Sequence, residues 1–165
     1  MRKPKSLGRY DSWTAVITNY RIIFAQTTDK MATNAALQAK EQAKADGKGF
    51  WGQYKDQFKG FYNFSQRYLT MDPNATLAET LGNFAVDNAG IREIKIHTKE
   101  EYRGGDYYRS EYSVEIKSAQ GTYEFRMDEN NQATGLLKQV YGERVKMPFG
   151  HFTAGKGPVQ FKIGF

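Results

Sequence analysis

The chain has 165 residues, 39% of them hydrophobic and 25% charged, which suits one globular domain with its own core. Zero cysteines exclude disulfides, thiolate metal sites and thiol catalysis, and fit a reducing compartment. Lys and Arg number 24 against 18 Asp and Glu, and the net charge of +6 favours an acidic partner: phospholipid headgroups, nucleic acid or an acidic protein surface.

No run approaches the roughly 18 to 20 consecutive apolar residues that span a bilayer, and the opening "MRKPKSLGRYD" lacks the apolar stretch of a signal peptide. The expected location is cytoplasmic, with the inner membrane face as a peripheral option. Arg2, Lys3, Lys5 and Arg9 form the one local basic excess and read as a solvated terminal arm.

In "WTAVITNYRIIFAQ", Trp13, Ala15 and Ile17 alternate with Thr14, Val16 and Thr18; beyond Asn19, Tyr20, Ile22 and Phe24 alternate with Arg21, Ile23 and Ala25. Period two on both flanks of Thr18-Asn19 predicts a β-hairpin. Thr28 or Asp29 then caps a helix running to about Ala45, with Met31, Ala35, Ala39 and Ala43 at four-residue spacing. "DGKG" breaks it, and a second helix is expected from Phe50 to about Leu69. On that helix Phe50, Trp51, Tyr54, Phe58, Phe61, Tyr62, Tyr68 and Leu69 share one face, opposite Gln53, Asp56, Lys59, Asn63 and Arg67. The alanine stripe lets the two helices lie close, as a helical hairpin inserted at 29–70 between β elements.

Asp72-Pro73 stops the second helix, and a short helix capped by Asn74 is expected to end at Gly82. Period two returns at Phe84 to Val86, at Ile94 and Ile96, at Tyr112, Val114 and Ile116, and at Tyr123, Phe125 and Met127. These predict an antiparallel meander with one wet face, with "KEEYRGGD" as a charged loop between two of its strands. Asn130 caps a last helix whose Ala133, Leu136, Leu137, Val140 and Tyr141 face the sheet. Beyond about residue 145 a Gly-containing tail ends in a possible strand at 159–165, "VQFKIGF".

The stretch "ITNYRIIF" resembles the second-hairpin signature of PH-like and GRAM-like domains of the prokaryotic type: Thr-Asn, any residue, Arg, then an aliphatic-aliphatic-aromatic run. "NFAV" with Ile91, Ile94 and Ile96 resembles the central strands of that superfamily, and "YSVEIKSAQGTYEFRM" followed by "NNQATGLLKQVYG" its last hairpin and C-terminal helix. The resemblance covers residues 10–28 and 72–145 and implies an α+β fold: a PH-like antiparallel barrel or bent sheet closed by a C-terminal helix, spanning 1–145 and carrying the inserted hairpin. Six strands are counted where such a barrel has seven, so the first is expected upstream, or replaced by 159–165. Members of the superfamily are mostly adaptors for lipid headgroups, peptides or proteins. A phosphoinositide-binding member carries basic residues on its first hairpin, where only Lys5 and Arg9 stand in here.

Reactive side chains are sparse. His97 on the polar side of a strand and His151 in the Gly-rich tail are far apart and belong to no ligand-spaced cluster, so a solvated or structural histidine is expected for each. Glu100, Glu101 and Asp106 crowd one turn, but Lys99 and Arg103 make it an ordinary charged loop. "GKG" at 47–49 lacks the Lys-Ser/Thr pair of a phosphate loop. Arg21 is expected to bond across its hairpin or to a neighbouring carboxylate.

The aromatic helix has three readings. It is core packed on the alanine helix, or a protein-partner and homo-oligomer surface formed by Phe50, Trp51, Tyr54, Phe58, Phe61 and Tyr62, or a membrane-surface element. Acidic-ligand contacts fall to Lys5, Arg9, Lys55 and Lys59. Positive charge with exposed aromatics suits single-stranded nucleic acid, but no specific nucleic-acid motif is present. The expected function is therefore a non-catalytic binding or assembly module for a protein partner or acidic ligand, with no cofactor and no metal. An anionic-membrane recruitment module is the alternative, and a small metal-dependent enzyme built from His97, His151 and the 100–106 segment is the second alternative.

Overall fold

The computed structural model describes residues 1–4, 10–47, 65–102 and 108–147. Among them, eight strands form one sheet: β1 (Arg2–Pro4), β2 (Tyr10–Ile17), β3 (Arg21–Thr27), β4 (Phe84–Asp87), β5 (Ile91–Tyr102), β6 (Tyr108–Ser118), β7 (Gly121–Asp128) and β8 (Val145–Lys146). Three α-helices accompany it: α1 (Asp29–Ala45), α2 (Pro73–Ala78) and α3 (Asn131–Tyr141). The class is α+β. None of the described helices is long and apolar enough to cross a membrane.

The strand order is β4-β3-β2-β1-β7-β6-β5-β8. Two antiparallel meanders, β1 to β4 and β5 to β7, are joined where β1 pairs with both β2 and β7. Only β8 is parallel to its neighbour, setting Val145 and Lys146 beside Ile94 and Lys95.

Two expectations change here. The six strands become eight, because Arg2–Pro4 and Val145–Lys146 are too short and too polar to show a period of their own. Residues 2–4 are accordingly no solvated arm. Met1 and Trp13 exchange both of their backbone bonds, each at 2.7 Å, and Arg2 stands beside Ser12 on one side and Arg126 on the other.

The sheet curls around its inner face. Trp13 on β2, Phe24 on β3, Phe84 on β4, and Tyr123 and Phe125 on β7 meet there as one aromatic cluster. Phe24 stacks on Phe84 at 4.9 Å and on Phe125 at 4.6 Å, and Phe84 stacks on Tyr123 at 5.1 Å. Since β4 and β7 are separated by three strands in the sheet, rings on the two can stack only if the sheet bends sharply. The rest of the interior is aliphatic: Ile91, Ile94 and Ile96 of β5 and Val114 and Ile116 of β6, with Leu137 and Tyr141 of α3. The inner residues of β2, β3 and β5 to β7 are those that the period-two pattern selects.

Next to the edge strand β4, β3 is buried on both faces along Ile22 to Ala25. Ile22 and Phe24 point inward, while Ile23 and Ala25 point outward and are equally buried. Arg21 shares that outer face and donates to Asn74 Oδ1 of α2 at 2.6 Å, so α2 lies on this side of the sheet. Arg21 thus ties hairpin to helix, with an amide oxygen as its partner where a carboxylate was one expected choice.

Thr28 caps α1 through Met31 N, and the stripe of Met31, Ala35, Ala39 and Ala43 is its sheltered side. The cap of α2 is Asp72, whose Oδ1 accepts from Asn74 N at 2.8 Å and Ala75 N at 3.0 Å. Asn74 is the expected cap, but Pro73 at the first helical position sets the start two residues earlier. Asn130 caps α3 as expected, accepting from Gln132 N and Ala133 N. Of the second predicted helix, Ser65–Leu69 forms a 3-10 turn and 50–64 lie outside the described residues. Residues 99–102, assigned to a charged loop, belong to β5, which pairs with β6 as far as Tyr102 and Tyr108.

Candidate functional site

Every side chain proposed for partner binding, Phe50, Trp51, Tyr54, Phe58, Phe61 and Tyr62, lies outside the described residues. So do Lys5, Arg9, Lys55 and Lys59, the proposed acidic-ligand contacts, together with His151 and Asp106. His97 is exposed within β5, opposite Ser113. Among the described residues no group of three or more His, Asp or Glu is placed to hold a metal ion. What the described residues do bring together are two sites that the sequence does not announce, built on the two faces of β1.

On the outer face, alternation along β1, β2, β6 and β7 places Arg2, Tyr10, Glu111, Arg126 and Asp128 side by side. Glu111 is only 1% exposed, whereas Ser113, the next residue of β6 on that face, is only partly buried. Arg2 Nη2 donates to Glu111 Oε2, and Arg126 Nη1 donates to Glu111 Oε1 at 3.1 Å and to Tyr10 Oη at 3.2 Å. Arg2 also reaches Asp128 at 3.4 Å. Both guanidinium groups lie over the Tyr10 ring, at 5.5 and 5.8 Å. Two cations and two carboxylates balance, and each charge has a partner. Chemically this is a clasp: it fixes β1 to β6 and β7 and leaves no uncompensated group to act on a substrate.

Further along the same face the charges become a surface ladder. Lys117 reaches Glu93 at 3.3 Å and Glu115 at 3.4 Å, and Lys95 reaches Glu93 at 3.4 Å. Partial desolvation works to raise the Glu93 carboxyl, but the hydrogen bond from Lys117 and the charges of both lysines outweigh it and hold it below the usual range. Hydrogen bonds to Glu93 and Glu115 push the Lys117 ammonium up in return.

The inner face is different. Lys3 projects over the aromatic cluster, with Nζ 5.9 Å from the Trp13 ring centroid and 5.7 Å from that of Phe84. Asp11 stands opposite Lys3 in the β1–β2 register, yet no described ion pair joins them. Trp13 is 7% exposed, and its indole Nε1 is buried without a hydrogen-bond partner. A cation with no carboxylate among the described residues and a donor with no acceptor therefore share one aromatic wall.

A third polar centre closes the far end of the β2–β3 hairpin. Asn88 donates from Nδ2 to Thr18 O at 2.8 Å and from N to Tyr20 O at 2.8 Å, and accepts from Tyr141 Oη at 2.7 Å and from Arg144 Nη1 at 2.9 Å. Burial pushes the Tyr141 hydroxyl well above the ordinary tyrosine range, with the Arg144 charge opposing. Asn88 joins hairpin, β4–β5 turn and C-terminal helix, and its work is architectural.

No protein-family model, curated protein or solved structure matches the chain.

Proposed function

We propose that the chain is a non-catalytic binding module of PH-like type that recognises an acidic ligand or protein partner. The PH-like assignment is supported by the strand order, in which two meanders meet at β1 and β7 and a C-terminal helix packs on the inner face. Fold alone does not choose a function. The observation that carries the functional reading is the contrast between the two faces of β1. Arg2 is neutralised by carboxylates, whereas Lys3, the next residue, has no carboxylate among the described residues and sits against half-buried rings.

Binding is tested by chemical-shift mapping of the full-length ¹⁵N-labelled chain against an acidic peptide, inorganic phosphate, and vesicles with and without phosphatidylserine. Saturable shifts with at least one acidic probe, and no change in the probe itself, support a binding module. Turnover of a probe, or no saturation with any of them or with a small organic acid, overturns it.

A further inference from the structure

Resting on that reading, we propose that Lys3, Trp13 and Phe84 form a binding site for a small organic monocarboxylate with an apolar body, an aryl or acyl acid. Four cations of the described residues lie over rings. Arg2 and Arg126 flank Tyr10 and are both bound to Glu111; Arg67 lies over Tyr68 and is paired with Glu79. Lys3 is the only one of the four without a carboxylate among the described residues. Its ammonium stands near the outer limit of cation–π range, which is about 6 Å, so a carboxylate at hydrogen-bond distance is the stronger partner.

The ligand's charge follows from the count of cations. Among the described residues Lys3 is the one cation over the Trp13 and Phe84 rings, because Arg2 and Arg126 point to the outer face and are already engaged, so a single negative charge is matched there and a phosphate dianion is not. The ligand's body follows from the wall. Phe84 and Tyr123 stack on each other at 5.1 Å and are both only partly buried, offering apolar contact beside the cation. The same Trp13 ring that Lys3 overlies carries a buried indole Nε1 that lacks an acceptor. Leaving such a donor unsatisfied is destabilising in the unliganded protein, and an acceptor that reaches it removes that penalty.

The test follows the Trp13 indole N–H and the Lys3 side-chain resonances of the ¹⁵N-labelled full chain during titration with 3-phenylpropionate, octanoate and the neutral amide of each. Saturable movement of both signals with either acid, and none with the amides, is the expected result; which acid binds more tightly separates an aryl from an acyl source. Lys3→Met keeps the apolar stem and removes the charge, and is expected to bind about tenfold more weakly or worse, ~1.4 kcal/mol. Lys3→Arg is expected to retain most of the affinity, with melting of both variants close to that of the parent. Equal shifts with the amides, parent-like affinity in Lys3→Met, or no movement of the Trp13 indole up to about 10 mM acid, ten times a millimolar Kd, overturns the site. If the acids move other resonances and leave Trp13 still, the site falls while the binding-module reading stands. Failure of these acids together with the peptide, phosphate and vesicle probes removes both.

Discussion

Replacing Glu111 by glutamine isolates the outer-face clasp, because the amide keeps the shape of the carboxylate and removes its charge. Cutting one partner from a fully buried ion pair costs about 3–5 kcal/mol, since the surviving charge is stranded. Here the stranded charges are Arg2 and Arg126, whose side chains are 24% and 16% exposed, so water recovers part of the loss. Each also keeps a second acceptor, Asp128 for Arg2 and Tyr10 for Arg126. A loss of about 2–3 kcal/mol is therefore expected, the scale of one or two hydrogen bonds to charged groups.

Urea unfolding followed by circular dichroism reads this as a lower midpoint at unchanged m-value. In thermal unfolding the same loss is about 5–10 °C for a chain of this length. The difference persists in molar salt, because a buried pair is screened far less than surface charges. Glu93→Gln, in the exposed ladder, leaves the midpoint where it was. If Glu111→Gln unfolds at the parent's midpoint, the clasp does not hold β1 and the account of the N-terminal strand is wrong.

Three further outcomes follow from other parts of the fold. Asn88→Ala removes the acceptor of Tyr141 and the donor to Thr18 O, and is expected to lower stability by about 2 kcal/mol, at roughly 1 kcal/mol per bond, in the same urea assay; a change under about 0.5 kcal/mol, the range of an ordinary surface substitution, would count against its bridging role. The Tyr141 hydroxyl ionises less readily folded than unfolded, so its contribution is fully present below about pH 10 and drains away as pH rises above that value. Tyr141→Phe is thus expected to flatten the decline in melting temperature between about pH 10 and 12, and parallel curves for parent and variant would refute this. Phe24→Ala empties the centre of the aromatic stack and is expected to cost about 3–5 kcal/mol, with a native-like fold retained only at low temperature.

How much of this was legible in the sequence depended on whether each residue's environment is local. Trp13, Ile22, Phe24, Ile94, Ile96, Val114, Ile116 and Phe125 declare their face through period two, because each strand that carries them is long enough for alternation to repeat. Thr28 and Asn130 declare their helices because a cap acts on backbone within three residues. Glu111 could not be read this way. Its alternation with Tyr112 assigns it correctly to the outer face, but its burial comes from Arg2, 109 residues away, and nothing near Glu111 signals that neighbour. β1 failed for the same reason: three residues reading Arg-Lys-Pro carry no apolar period, and their strand conformation is imposed by β2 on one side and β7 on the other. The cap of α2 lies two residues before the expected Asn74, although Pro73, which marks the helix start, is plain in the sequence.

The two faces of β1 show how strand alternation distributes the positive charge that composition only totals. A net charge of +6 suggests a basic patch, yet four of the described cations on the outer sheet face are paired: Arg2, Arg126, Lys95 and Lys117 each contact a carboxylate within 3.4 Å. Such a surface attracts a polyanion weakly, because a carboxylate beside each cation cancels its field within a few ångströms. Lys3 and Arg2 are consecutive, and strand alternation alone sends one cation into a balanced cluster and the other over a ring wall with an unsatisfied indole. The proposed site therefore depends on one well-placed ammonium, and a response to a monocarboxylate that is weakened by Lys3→Met and indifferent to Lys95→Met and Lys117→Met would separate that site from attraction by net charge.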